Sequence, residues 1–240
     1  MTGNAPARPA RLERIERMRA SHSYWAVLAA IFVVFFLAAL LPDTRWALSL
    51  VVLVQCATLL IVIWTAGWSM TERALPFAIA VAAGVAAAIN ILWEGEALTS
   101  VLGVAAGFLT VAIAFGIARG AIAQNEVNSR SVAGAICVYM LFGMLFMFLY
   151  GVIAAVDHAP FFAQGTDGTR PIRLYFSFTT LATLGYGDYT AASNLGHALA
   201  VLEALIGQLY LVTVVAVVVT RLGGPRRRIL GRDESGNEET

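Results

Sequence analysis

No lysine occurs anywhere in the 240 residues of this chain, so every one of its 16 basic side chains is arginine. Charge of either sign is scarce, at 13% of residues against 59% hydrophobic, and the mean hydropathy is +0.77. A chain of this length and composition cannot present the polar surface of a soluble globular protein, which leaves an integral membrane protein. The two cysteines, Cys56 and Cys137, both lie inside apolar runs, where a thiol packs as a small hydrophobe. A disulfide framework and a metal site at cysteine spacing are therefore excluded. Among the histidines only His197 falls within an apolar run, near its edge, and no Gly-rich serine motif accompanies it. A membrane-bound hydrolase would lack its nucleophile and base. The net charge of +1 identifies no partner, and no nucleic acid is expected.

Long apolar runs are what the sequence has in abundance. Six of them, 24–41, 47–66, 74–93, 98–118, 131–156 and 195–222, each have about the length needed to cross a hydrocarbon core of roughly 30 Å. Pro76, near the start of the third, suits a first helical turn, where no intrahelical N–H is needed. Arginine sets the orientation. Arg8, Arg11, Arg14, Arg17 and Arg19 precede the first run, Arg73, Arg119 and Arg130 lie in alternate loops, and Arg221, Arg226, Arg227, Arg228 and Arg232 follow the last. With six spans all of these fall on one side, and only Arg45, Arg170 and Arg173 on the other. Both termini are expected in the cytoplasm, in a bacterial plasma membrane.

Residues 1–23 place Leu12, Ile15 and Met18 three apart, with arginines between them. Such a segment reads either as an amphipathic helix on an anionic leaflet or as a solvated basic tail that sets topology. It has no small-residue cleavage site of a signal peptide. Residues 24–118 read as a four-span domain, and its fourth span carries no charge before Arg119. A steep voltage sensor needs a ladder of arginines there. Gly103, Ala106 and Gly107 suit close helix packing in lipid instead. Residues 119–130, with Gln124, Asn125, Glu126 and Asn128, read as a cytoplasmic linker, and 223–240 as a short cytoplasmic tail without an appended regulatory domain. The Arg226-Arg227-Arg228 cluster in that tail is a second candidate for anionic lipid.

Residues 131–222 form one module. Between its two long runs lie a polar loop, 157–173, rich in turn signals, and the segment 172–182, apolar but too short to span, as a re-entrant helix shielded by protein would be. In the loop, Asp157 and His158 read as a solvated pair or as a sensor of external pH. Then comes Thr183-Leu184-Gly185-Tyr186-Gly187-Asp188. A dehydrated monovalent cation needs oxygens in place of its water shell, so successive carbonyls must face one axis, whereas an ordinary strand alternates them. Glycines at 185 and 187 allow the positive φ that brings the peptide planes into line.

The string Thr-Leu-Gly-Tyr-Gly differs by one aliphatic exchange from the filter loop Thr-Val-Gly-Tyr-Gly of potassium channels. With the short helix before it and the flanking spans, the chain resembles the tetrameric potassium channel family, in its six-span form with one pore loop and no charged sensor span. The resemblance is detailed over 131–222 and architectural for the first four spans. It implies an all-α integral membrane protein with six transmembrane helices per chain, a re-entrant pore helix and a homotetramer around one pore. It implies passive potassium permeation without catalysis, K+ sites at Thr183, Leu184, Gly185 and Tyr186, and no cofactor beyond the permeant ion. Asp188, Tyr175, Thr179, Thr180 and Glu203 would support the filter, while Gly207, Gln208, Leu211, Val215 and Val219 would line the cavity or gate. Gly207 reads as a hinge or as a point of close helix approach. The chain departs from the family pattern at two places: Ala182 replaces a threonine, and Tyr175-Phe176 replaces an aromatic pair that is commonly Trp-Trp. Tyr175 keeps a phenol donor for Asp188.

Glu203, the only acid within the six runs, lies about 12 Å beyond Leu195 along a helix and about 140° around it from Gln208. It should point to the pore helix, toward the hydroxyls of Thr179 and Thr180. A secondary transporter would show paired discontinuities in two halves, and here there is one. The alternatives to a potassium channel are such a transporter or a weakly selective cation channel.

Overall fold

The computed structural model describes residues 10–65, 70–93, 95–122 and 129–222, and the elements it contains among them are seven helices. The 223–240 tail with its arginine cluster, residues 1–9 and residues 123–128 of the linker lie outside the described residues. So do the side chains of the N-terminal basic segment, and with them its contacts with lipid. Helix α1 (Ala10–Leu40) runs without a break through the boundary expected at residues 23 and 24 and stops before Pro42, where the α conformation is disfavoured. Helices α2 (Arg45–Thr65), α3 (Met70–Leu92), α4 (Glu96–Ile122) and α5 (Ser129–Val156) follow, then the short α6 (Arg170–Leu181) and the long α7 (Asn194–Leu222). Because α3 begins at Met70, Pro76 sits in its second turn rather than its first. There its missing N–H removes an intrahelical bond.

Among the described residues, α2, α3, α4, α5 and α7 are long and apolar enough to cross a membrane, while the apolar part of α1, Trp25–Leu40, is shorter. Helix α2 is the axis of the first four, packed against α1, α3 and α4, and most of it is buried. Helix α5 is the axis of the rest, touching α1, α4, α6 and α7. Lipid tails are as apolar as leucine, so packing and interhelical hydrogen bonds have to hold such a bundle. Gln55 of α2 donates to Thr110 of α4 at 3.1 Å, and Asn90 of α3 donates to Ser49 of α2 at 3.1 Å while accepting from Thr99 of α4 at 3.1 Å. Amides and hydroxyls thus occupy the interior of this domain. Arg119, the one charge at the end of α4, pairs with Glu72 at the start of α3.

Each end of α6 is set locally. Pro171 falls in its first turn, where no N–H is required, and the loop before it carries the αL glycines Gly165 and Gly168. Helix α7 starts at a serine cap: the Gly196 N–H donates to Ser193 Oγ at 3.1 Å. Of the seven helices α7 is the most open, with Val201, Leu202, Leu205, Leu209, Leu211 and Val212 all exposed in the single chain.

Candidate functional site

The segment after α6 has an unusual backbone. φ is +57° at Thr183, +52° at Gly185 and +79° at Gly187, with Leu184 and Tyr186 between them outside that region. This alternation is the pattern a one-sided array of carbonyls requires, since it breaks the up-and-down alternation of a strand. An added Cβ would meet nothing within 4 Å at Gly185 or Gly187, so conformation rather than crowding demands glycine there. Thr183 joins the pattern although it is β-branched, a strain of about 1–3 kcal/mol that the surroundings must enforce. They do so through the end of α6. Thr183 N–H donates to Thr180 O at 2.9 Å, and Thr179 O accepts from both Leu184 N–H, at 2.8 Å, and Gly185 N–H, at 3.2 Å.

The far end of the segment is braced by the loop before α6. Gln164 donates to Asp188 O at 2.9 Å and accepts from Thr190 N–H at 3.3 Å. Backbone bonds tie the same loop to residues 190–192: Ala163 N–H to Thr190 O at 2.8 Å, and Ala192 N–H to Phe161 O at 2.8 Å. Phe161 and Phe162 are buried, and with Phe146, Tyr150 and Phe176 they form an aromatic cluster that Phe162 extends to Tyr189 at 5.3 Å between ring centroids. Tyr175 stacks on Tyr186 with centroids 6.3 Å apart. Its phenol hydrogen-bonds Asp188, which holds it above its ordinary pKa. His158 and Asp157 are exposed, Asp157 accepting the His158 backbone N–H, as a solvated pair would be.

Behind α6, Glu203 is fully buried. It does point to the pore-helix segment, but Ser177 and Tyr150 meet it rather than Thr179 and Thr180. Thr179 lies about 200° around α6 from Ser177, so the two cannot present hydroxyls in one direction. The Thr179 hydroxyl turns back instead to Phe176 O, at 3.0 Å. Tyr150 donates to Glu203 Oε2 at 2.5 Å, and Ser177 Oγ contacts both Glu203 Oε1 and, at 2.7 Å, Gly143 O. One hydroxyl has one proton, and the Gly143 carbonyl can only accept. Every bond in this cluster is satisfied when the carboxyl carries its own proton and donates to Ser177, the neutral form that a low-dielectric interior favours.

Gly207 is a point of close helix approach. A Cβ there would lie 2.2 Å from Leu181 O, at the end of α6, so α7 is pressed against the start of the filter segment. The Tyr139 hydroxyl donates to the same carbonyl at 3.4 Å. Gln208, Leu211 and Val212 form an exposed face of α7, while the side chains of Val215 and Val219 lie outside the described ones. Residues 182–188 are likewise exposed in the single chain, where Tyr186 rests on Tyr175 alone among the rings of the described residues.

Residues 134–223 match the family model described as ion channel. The chain carries an ion channel domain. No curated protein and no solved structure matches the chain. The matched segment holds α6, the alternating backbone, most of α5 and all of α7, and the protein is a channel rather than an enzyme. Ser177, Tyr150, Gln164 and the Phe161-Phe162 pair escaped sequence reasoning. Only the aromatic pair left a trace, as two adjacent phenylalanines in a loop of turn residues.

In this channel Glu203→Gln presents an amide to Ser177 and a carbonyl to Tyr150 and is expected to retain the thermal midpoint of the parent. Glu203→Leu strands the Tyr150 hydroxyl, while Ser177 keeps Gly143 O, at about 1–3 kcal/mol for the buried group left unpaired, and lowers the midpoint by a few degrees. A leucine variant as stable as the parent would show that the cluster contributes nothing.

Proposed function

We propose that the protein is a potassium-selective channel, conducting K+ passively through a filter formed by residues 183–187 of four copies. The carrying observation is the alternation of positive φ at Thr183, Gly185 and Gly187, on a sequence one aliphatic exchange from a potassium filter. One chain supplies one wall of such a ring. The exposure of 182–188 together with the apolar, open face of α7 supports closure by cyclic symmetry. In the tetramer, K+ takes the carbonyls of Thr183, Leu184, Gly185 and Tyr186, and the Thr183 hydroxyl adds an oxygen at the inner end. Tyr175, Asp188, Thr179, Thr180 and Glu203 keep that wall in shape. The cavity below is lined from Gly207 and Gln208 past Leu211 to Val215 and Val219.

The same reading makes the apolar part of α1 a sixth span, places both termini in the cytoplasm and puts the channel in a bacterial plasma membrane. The basic segments at both ends then face anionic lipid on the inner leaflet. Purified protein in a planar bilayer, under opposed potassium and sodium solutions, is expected to reverse close to the potassium equilibrium potential. Gly185→Ala and Gly187→Ala should abolish the potassium current while tetramers still form, because Cβ disfavours the φ the filter requires. An unchanged potassium preference in either variant removes the filter assignment.

With no basic residue in α4 before Arg119, open probability should depend on voltage only shallowly, by about one elementary charge or less per subunit. A steep activation curve, equivalent to several charges per subunit, would contradict this reading of the first four helices.

A further inference from the structure

A cleft of about 340 Å³ opens where the α1–α2 loop, α4, the end of α5 and the start of α6 come together. Gly103, Val104 and Val152 give it apolar walls, and Asp43, Arg170 and Arg173 close one end. Arg170 is 5% exposed. Its backbone N–H and its Nη2 both donate to the Asp43 carboxylate, each at 2.9 Å, while its Nη1 is buried without a partner among the described residues. Arg173 lies 3.9 Å from the same carboxylate and donates through Nη1 to Gly168 O, at 2.6 Å, and Asp167 O, at 3.1 Å. Burial by itself raises the pKa of Asp43, but the hydrogen bonds from Arg170 and the charges of Arg170 and Arg173 outweigh it and hold the carboxyl below its ordinary value. One ionised carboxylate thus serves two guanidinium groups. A buried guanidinium nitrogen without an acceptor is costly, and a planar donor fork of this kind suits an oxyanion.

We infer that this cleft holds an anionic phospholipid, its phosphate on Arg170 and Arg173 and an acyl chain along the apolar wall of α4 and α5. The ends of α1 and α5 and the starts of α2, α4 and α6 all meet here, which places the arginines at headgroup depth in the leaflet opposite the one that the termini face; this rests on the membrane-spanning arrangement already given. Val104 and Val152 are 48% and 43% exposed, so the cleft opens sideways to lipid rather than being sealed by protein. A free phosphate would satisfy the arginines but leave that wall bare. The lipid touches the first turn of α6, and so loads the helix that carries the filter segment.

The test uses purified full-length protein exchanged into nanodiscs or detergent with phosphatidylglycerol, with phosphatidylcholine of the same chains, or with inorganic phosphate alone. Bound lipid is counted by native mass spectrometry and the thermal midpoint is followed. Phosphatidylglycerol is expected to be retained and to raise the midpoint, and the other two to do neither. An added Cβ at Gly103 meets nothing within 4 Å, so Gly103→Phe fills the cleft without a clash in the backbone. It should keep the lipid-free midpoint and lower affinity for phosphatidylglycerol by about ten-fold or more, as should Arg173→Gln. If Arg173→Gln fails to fold, Gly103→Phe decides. Equal responses to the two lipids, undiminished affinity in Gly103→Phe, or inorganic phosphate acting as well as phosphatidylglycerol would each overturn the inference.

Discussion

The carbonyl oxygen of Leu181 lies so close to α7 that a Cβ on Gly207 would stand 2.2 Å from it, and the rest of the pore module is arranged around this contact. It fixes where α6 ends relative to α7, and therefore where the alternating segment begins. One turn earlier on both helices the same two surfaces meet again, at Ser177 and Glu203. The first contact needs the smallest residue, and the second needs a polar cluster with every proton placed. Between them they hold α6 at the angle from which Thr179 O and Thr180 O can clamp the N–H groups of residues 183–185. The strained φ of Thr183 persists because that clamp leaves the backbone no alternative.

The first four helices reach this core at two places. Phe35 of α1 packs edge-on against Phe178 of α6 with centroids 4.9 Å apart, and Asp43 in the loop after α1 binds Arg170 at the start of α6. Both contacts land on the short helix rather than on α7. Gln55, Asn90, Thr99 and Thr110 occupy the interior of this domain, so the hydrogen bonds buried there are between neutral groups. The domain thus holds α6 both at its start and near its end.

Much of this architecture is legible in the sequence, because hydrocarbon imposes simple rules on length and polarity. The helix ends at Val156, Leu92 and Leu222 fall within a residue of the apolar runs, and glycine at 185 and 187 announces positive φ. Direction around a helix is harder to read. Glu203 could be aimed at α6 by its angle from Gln208, yet its partner was set by the phase of α6, which sequence spacing leaves open by half a turn. Tyr150 reads as one more aromatic in an apolar run until the fold brings its hydroxyl to Glu203. Gly207 shows the same limit: a hinge and a close approach require the same residue, and only the position of Leu181 O separates them. Gln164 and the phenylalanine pair act across the loop to residues 188–192, contacts that have no local signature.

The central claim is that the carbonyls of residues 183–186 are turned to one side by the alternating backbone and take the permeant ion. Protein labelled with ¹³C at the carbonyls of Thr183, Leu184, Gly185 and Tyr186, reconstituted in lipid and examined by solid-state NMR in potassium and then in sodium, tests this directly. The account predicts that these four resonances shift when potassium is replaced, while labelled carbonyls elsewhere in α6 and α7 stay in place. Resonances at 183–186 that ignore the exchange, in protein that conducts potassium, would contradict it.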